Sequence, residues 1–346
     1  MERSQLKWVW ISVAFSVVVL GAVLFTTFDE KTIGYLLSLN IWYLLLALVF
    51  RIGSLVFWAW RIQVMSAPLG YKVPFGHAFN LVCVNLLAGA ITPGQAGGEP
   101  VRIHQLHSGG VKVGDATAVV IMERVLDGVV LTVMGIVAIV LLGSIWSQLS
   151  LGIIVVMLTA WGLMIGIIVL LFYATRRPGY VKSKVLHLLH WIEKRLKRES
   201  IRRAICQVDY EMDNFFASVN LFTGAGRTGL FQGTVFTVLF WSSEFFIASL
   251  LLLSLGQHPF VAESFLFQLV IAAIMMVPLT PGSSGIAEIS ATSLYALIVP
   301  SSVLGIFVLL WRLFLYYFNI IVGVIASIFV FKRELAMKAT ECPKEK

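Results

Sequence analysis

Apolar runs of about twenty residues, the length a helix needs to cross the hydrocarbon core, alternate with polar stretches along nearly the whole chain. They cover roughly 8–28, 40–62, 75–91, 115–143, 151–173, 229–256, 262–280 and 301–331. This pattern predicts an all-α polytopic membrane protein of about eight hydrophobic segments. The first run closes on Phe25, Thr26, Thr27 and Phe28 with no small-residue cleavage site, so it reads as a retained span rather than a signal peptide.

Two of the runs end in a break. The stretch "ITPGQAGGEPVRIHQL" places Thr92, Pro93, Gly94, Gly97 and Gly98 where a span would otherwise continue, and "VPLTPGSSGIAEIS" repeats the device with Thr280, Pro281, Gly282 and Gly285. Arg124 follows Pro93 and Arg312 follows Pro281 at one interval of 31 residues (124 − 93 and 312 − 281). Break and arginine together predict an internal repeat.

Charge placement decides how the repeat is threaded. Arg3 and Lys7 put the N-terminus in the cytoplasm, and Arg61 and Lys72 put the loop after the second span there. The region 174–228 carries Arg176, Arg177, Lys182, Lys184, Lys194, Arg195, Lys197, Arg198, Arg202 and Arg203, and belongs on the same side. That holds if 75–110 enters and returns as a re-entrant hairpin with its tip at 91–98. The second hairpin, with its tip at 279–286, then enters from the opposite face, and Lys332 and Arg333 finish in the cytoplasm. Two re-entrant hairpins related by inverted topology follow.

The expected organisation is one membrane domain over 1–346: a first span and external loop (1–39), a first repeat (40–143), a connecting span (151–173), a cytoplasmic basic segment (174–228), a second repeat (229–331) and a cytoplasmic tail (332–346). Within the basic segment Val181, Val185, Leu188, Ile192 and Leu196 recur at helical spacing, predicting an amphipathic helix on the membrane surface that favours anionic lipid. The alternative is a solvated loop helix.

Composition sharpens the class. The chain is 59% apolar and 13% charged with mean hydropathy +0.90, against about 25% charged in soluble domains. Its net charge of +8 gathers in the basic segment and so bears on topology and lipid contact, with no nucleic-acid partner expected. Cys83, Cys206 and Cys342 are scattered, and His104 and His107 lack a third ligand nearby, so neither a disulfide framework nor a metal is expected. No Walker-type phosphate loop occurs, and no cofactor is expected.

The candidate chemistry lies inside the apolar runs. Glu123, Arg124 and Asp127 share a broad helical face, Glu99 and Arg102 follow the first tip, and Glu288 and Arg312 are their second-half counterparts. Ionisable residues in spans are costly and default to a functional reading when clustered. Arginines suit bidentate phosphate binding, with acids keeping the empty site paired. The competing reading is an ion-pair network that only locks helices together; Arg51 and Glu244 are assigned that role with each other.

The stretches "TPGQAGGEPVR" (92–102), "ERVLDG" (123–128) and "PLTPGSSGIAE" (278–288) resemble the membrane region of the lysylphosphatidylglycerol synthase transmembrane family, in a stand-alone member of UPF0104 type. The resemblance implies a flippase-like domain, and in fused relatives this region is associated with moving an aminoacylated phospholipid between leaflets. Matched to those motifs, it implies cavity roles for Glu99, Arg102, Glu123, Arg124, Asp127 and Glu288. About 15 residues follow Phe331, with no soluble synthase domain in them and no catalytic motif found.

The expected function is a translocase in the plasma membrane, moving an anionic or aminoacylated phospholipid or a polyprenyl-phosphate lipid through a charged midplane cavity. The alternatives are an integral-membrane transferase on a lipid-linked substrate, or an accessory that docks lipid-synthesis enzymes through 174–228.

Overall fold

The computed structural model describes residues 30–92, 97–141, 176–196, 199–275, 280 and 282–341, with isolated positions among 21–25 and 151–174. The expected first span, tip residues Pro93, Gly94 and Pro281, and most of the connecting span lie outside the described residues. Among those described, the secondary structure is helical throughout.

Asn40 opens the first long helix by accepting from the Trp42 N–H at 3.0 Å, a side-chain cap that satisfies one orphan donor. After a short α1 (Glu30–Leu37), α2 runs from Ile41 to Ser66 and passes through a single 3-10 turn. Then come α3 (Phe75–Ile91), α4 (Gly98–Ser108) and α5 (Val113–Leu141). The basic segment forms α6 (Pro178–Leu196) and α7 (Glu199–Thr223). The second half holds α8 (Arg227–Ser254), α9 (Val261–Met275), α10 (Ile286–Tyr295) and α11 (Ser301–Arg312). A π turn over Leu313–Tyr317 joins α11 to α12 (Phe318–Glu341).

Among the described residues, three stretches are long and apolar enough to cross a membrane: Ile41–Leu69, Arg227–Ser254 and Ser301–Val330. The chain is an α-helical polytopic membrane protein. At 1.5 Å per residue, the 17 residues of α3 and 15 of α9 reach only about 25 and 22 Å, short of a hydrocarbon core of about 30 Å. Each packs against the shorter helix that follows its break, α3 on α4 and α9 on α10.

The halves meet along α2 and α8. Asn40 N–H donates to the Ser254 carbonyl at 2.9 Å at one end. At the other end Gly229 abuts the Val64 carbonyl and Pro68, so the two helices run antiparallel. Gly229 and Gly233, one turn apart, let the backbones approach, as small residues do in membrane helix pairs. A methyl at Gly229 would sit 2.8 Å from the Val64 carbonyl oxygen. Leu55, Ile62, Leu81, Val119 and Phe222 form the first-half core; Leu251, Phe267, Tyr295 and Phe307 belong to the second. Val133, Ile136, Val137 and Val140 on α5 and Ile321, Ile325 and Ile328 on α12 stay exposed, as lipid-facing side chains must.

The basic segment departs from the expected single amphipathic helix. It is a packed pair, with Lys182 of α6 bridging Asp209 and Asp213 of α7 at 2.9 and 2.8 Å. Hydrogen bonds to Asp213 and Asp209 raise the Lys182 pKa. This raised value keeps the tie intact at neutral pH, and it is lost only as the pH climbs through the folded pKa, above the ordinary lysine range. Val181 and Val185 are half-buried and Leu188 is exposed, so the face that sequence periodicity assigned to the membrane is only partly open. Ile192 and Leu196 are outside the described side chains.

Helix α7 is in turn fastened to the start of α5. Asp115 accepts from the Tyr71 hydroxyl at 2.6 Å and the Ser218 hydroxyl at 2.5 Å, and Glu211 accepts the Gly114 N–H at 2.6 Å. Burial and the Asp115 hydrogen bond push the Tyr71 phenol up, so it stays a donor. Asp115→Ala removes one acceptor serving two hydroxyls, a loss of about 2 kcal/mol. The expected result is amide exchange in α7 faster by about 30-fold, read by hydrogen–deuterium exchange, with α8 unchanged.

Candidate functional site: two broken helices and their arginines

The two breaks come together. The Gly282 N–H donates to the Thr92 carbonyl at 3.1 Å, so one tip is hydrogen-bonded to the other. Both threonines close their own loops. Thr92 Oγ1 accepts the Gly97 N–H at 2.9 Å and donates to the Ala88 carbonyl, while Thr280 Oγ1 donates to the Ser284 carbonyl at 2.8 Å. Gly282 and Gly285 adopt left-handed backbone, φ +57° and +83°, which glycine tolerates without a Cβ penalty. Gly98 lies so close to the Asn85 side chain that a methyl there would collide with its amide oxygen. Thr92 and Thr280 thus serve turn closure, and Gly98 and Gly282 close approach.

Behind each tip an arginine meets the glutamate of the following short helix. In the first half Arg124 Nε donates to Glu99 at 2.7 Å, and its Nη1 reaches Asp127 at 3.4 Å. In the second half Arg312 Nε donates to Glu288 at 2.8 Å and Nη2 to the Ser284 hydroxyl at 3.3 Å. Glu288 also accepts the Gly285 N–H at 2.7 Å, capping its own helix. The π turn begins right after Arg312, and the Tyr316 ring it carries lies 4.4 Å from the guanidinium carbon, a close cation–π contact. Such bulges recur at functional sites. The equivalent pairs differ in access. The Arg124 and Glu99 side chains are 38% and 30% exposed, whereas Arg312 and Glu288 are 2% and 0% exposed.

A deeper layer adjoins the first pair. Glu123 forms ion pairs with both Arg61, at 2.7 Å, and Arg102. Arg61 Nη1 also reaches Asp127 at 2.7 Å, and Asp127 accepts the Trp241 indole N–H at 3.0 Å. Glu99, Arg124, Asp127, Arg61, Glu123 and Arg102 therefore make one chain of alternating charge. Arg61, Arg102 and Glu123 have no solvent-accessible surface. Both guanidiniums lie over the Trp58 ring, 5.5 and 5.4 Å from its centroid. Among the described residues, Arg61 Nη2, Arg102 Nε and Nη1, and Trp58 Nε1 are buried donors without a partner.

Of the residues proposed from sequence, the structure brings Glu99, Arg102, Glu123, Arg124 and Asp127 into one cluster and Glu288 with Arg312 into another. One reading is corrected. Arg61, taken from its place near Lys72 as a loop charge marking topology, lies inside α2 and is the hub linking Glu123 to Asp127, because α2 continues to Ser66. Trp58, Asn85 and Trp241 were missed as well, as was Thr237, whose hydroxyl accepts from Arg61 Nη1 at 3.2 Å. Arg51 and Glu244 do pair, joined by Ser54 and Asn319. His107 is taken up by the Val111 carbonyl at 2.9 Å, and no group of three metal-ligating side chains occurs among the described residues.

A set of apolar helices carrying two broken-helix tips with arginine–carboxylate pairs behind them defines an integral membrane protein with a charged interior. Comparison with known proteins places the chain in a family. Residues 9–323 match the lysylphosphatidylglycerol synthase TM region, and the chain belongs to that family. It is similar to UPF0104 membrane proteins of Archaeoglobus fulgidus (30% identity; 91% of this chain, 95% of the relative), Methanocaldococcus jannaschii (25%; 89% and 90%) and Pyrococcus horikoshii (22%; 77% and 80%). No solved structure matches the chain.

Proposed function

We propose that this protein moves the polar head group of a lipid between leaflets, with the tails remaining in the bilayer. The carrying observation is the hydrogen bond between the two tips, each of which has an Arg–Glu pair behind it inside apolar helices. Broken helices at a repeat interface are where such transporters bind substrate, and non-helical backbone at membrane depth is tolerated where protein buries it or water reaches it. A phosphate enters by displacing Glu99 from Arg124, the more open pair. The buried donors of Arg61, Arg102 and Trp58 line the next layer, and Asp127 and Glu123 hold charge balance as the head passes. The hairpins enter from opposite faces, both termini lie in the cytoplasm, and the membrane is the plasma membrane. The substrate is an anionic or aminoacylated phospholipid or a polyprenyl phosphate, moved without covalent change. With no phosphate loop in the sequence, movement is facilitated or ion-coupled.

Reconstitution into vesicles with head-group-labelled lipids of these classes, followed by leaflet-selective quenching, tests the reading. Purified protein accelerates exchange of at least one class; folded protein that moves none of them overturns it. Arg124→Ala should slow exchange about 10- to 100-fold, the equivalent of one charge-assisted hydrogen bond. Because this pair is partly exposed, the melting temperature should barely change. A docking accessory would give the opposite outcome: Arg124→Ala would be harmless, and removal of 174–228 would abolish function.

A further inference from the structure

Helix α6 turns one face to α7 and leaves a chemically distinct one open. Lys182 marks the α7 side through Asp209 and Asp213. At about 100° per residue, Tyr180, Lys184 and Trp191 fall roughly opposite it. The series Tyr173, Arg177, Tyr180, Lys184, Leu188, Trp191, stepping by three or four, forms a stripe there. Tyr173, Tyr180, Leu188 and Trp191 are each about half exposed, at 47%, 54%, 57% and 50%. Arg177 lies over the Tyr173 ring at 6.0 Å and Lys184 over Tyr180 at 5.6 Å, so cations and rings are interleaved along the stripe. The acid within Pro178–Leu196 is Glu193, on the α7-facing side and engaged with His190 at 3.1 Å.

Two occupants could cover such a face, a protein or a lipid surface, and the chemistry favours the second. The stripe pairs tyrosine and tryptophan, which settle at head-group level, with arginine and lysine and no carboxylate. It also follows directly on the apolar segment 151–173, so it starts where the chain leaves the bilayer. Lysine is depleted in protein interfaces, yet Lys184 stands in the middle of the stripe, where a lipid head-group layer accepts it.

We propose that the Tyr173–Trp191 stripe, begun by Tyr173 and Arg177 just before α6 and continued along it, docks on the anionic lipid surface of the bilayer, bound through Arg177 and Lys184 with the rings at head-group depth. This face shares Leu188 with the one periodicity assigned, but not Val181 and Val185, which are half-buried. Since α7 is fastened to the start of α5 through Asp115 and Glu211, a docked α6 is tied to the helix that carries Glu123, Arg124 and Asp127.

The test uses the full chain with Cys83, Cys206 and Cys342 replaced by serine and a spin label at Leu188→Cys. It is reconstituted into phosphatidylcholine vesicles with or without phosphatidylglycerol. Collision with oxygen and with a water-soluble nickel chelate is then measured. The expected result is that phosphatidylglycerol raises oxygen contact and lowers chelate contact, and that high salt reverses both. In the Arg177→Gln/Lys184→Gln variant the docking equilibrium should fall about 25-fold, fivefold per charge. Equal chelate access in both vesicle types overturns the proposal. So does a label shielded from both colliders without phosphatidylglycerol, which means protein covers the face. The lipid comparison needs no charge variant, so it stands even if the double variant fails to fold.

Discussion

Arg61→Gln is expected to destabilise the protein by about 3–5 kcal/mol, the cost of leaving a buried ion pair with one partner missing. Arg61 has no accessible surface and is bonded at 2.7 Å to both Glu123 and Asp127. Its removal leaves two carboxylates four residues apart, sealed from water, with Arg102 and Arg124 left to balance them. Unfolding of the purified variant in detergent, followed by tryptophan fluorescence, measures the loss. The double variant Arg61→Gln/Asp127→Asn should regain part of it, since Glu123 keeps Arg102 and Glu99 keeps Arg124 while the carboxylate left over is removed, and the cycle gives the coupling directly. A stability within about 1 kcal/mol of the parent in the single variant would mean that water reaches the cluster and that it is not a sealed network. Arg124→Gln, at the exposed end of the same chain of charges, should cost far less. Stability loss and transport loss are therefore expected to separate along the cluster, the first greatest at Arg61 and the second at Arg124.

The second large effect is expected at the contact between the tips. Gly282→Ala combines a left-handed backbone, worth about 1–2 kcal/mol for a residue with a Cβ, with a methyl driven into the Ala90 carbonyl and within 2.9 Å of the Tyr316 ring. Gly256 is the control: its φ is +69°, but a methyl there meets nothing within 4 Å. Gly256→Ala should cost only the backbone penalty. Gly282→Ala should cost about 1–3 kcal/mol more, the range for overpacking a tight site. Unfolding curves of the two variants give the difference, and equal losses would mean that the tips do not bear on one another.

These two residues also mark where sequence reasoning reached and where it stopped. The Pro-Gly breaks were legible because they interrupt apolar runs, and the equal spacing to Arg124 and Arg312 tied them into a pair. Helix α3 begins and ends where the apolar run does, at Phe75 and Ile91, because Pro74 precedes it and Thr92 leaves it in extended backbone. Arg61 was not legible. In one dimension it stands near the end of a span beside Lys72, where flanking charges belong, and its partners are more than sixty positions away. The packing of α6 on α7 was not legible for a similar reason: periodicity reports that a face is apolar but not which neighbour lies beside it.

The sequence by itself determined the class and the parts. Run lengths demand membrane-crossing helices, glycine and proline set the breaks, and charges too costly to leave in lipid announce an interior lined with ions. The tertiary structure alone decided who meets whom. It put the Gly282 N–H on the Thr92 carbonyl, made Arg61 the link between Glu123 and Asp127, and left the Glu99–Arg124 pair open while closing Glu288–Arg312. Local propensity and hydropathy act over a few residues. Ion pairing and burial depend on distances across the fold, and helix packing fixes those.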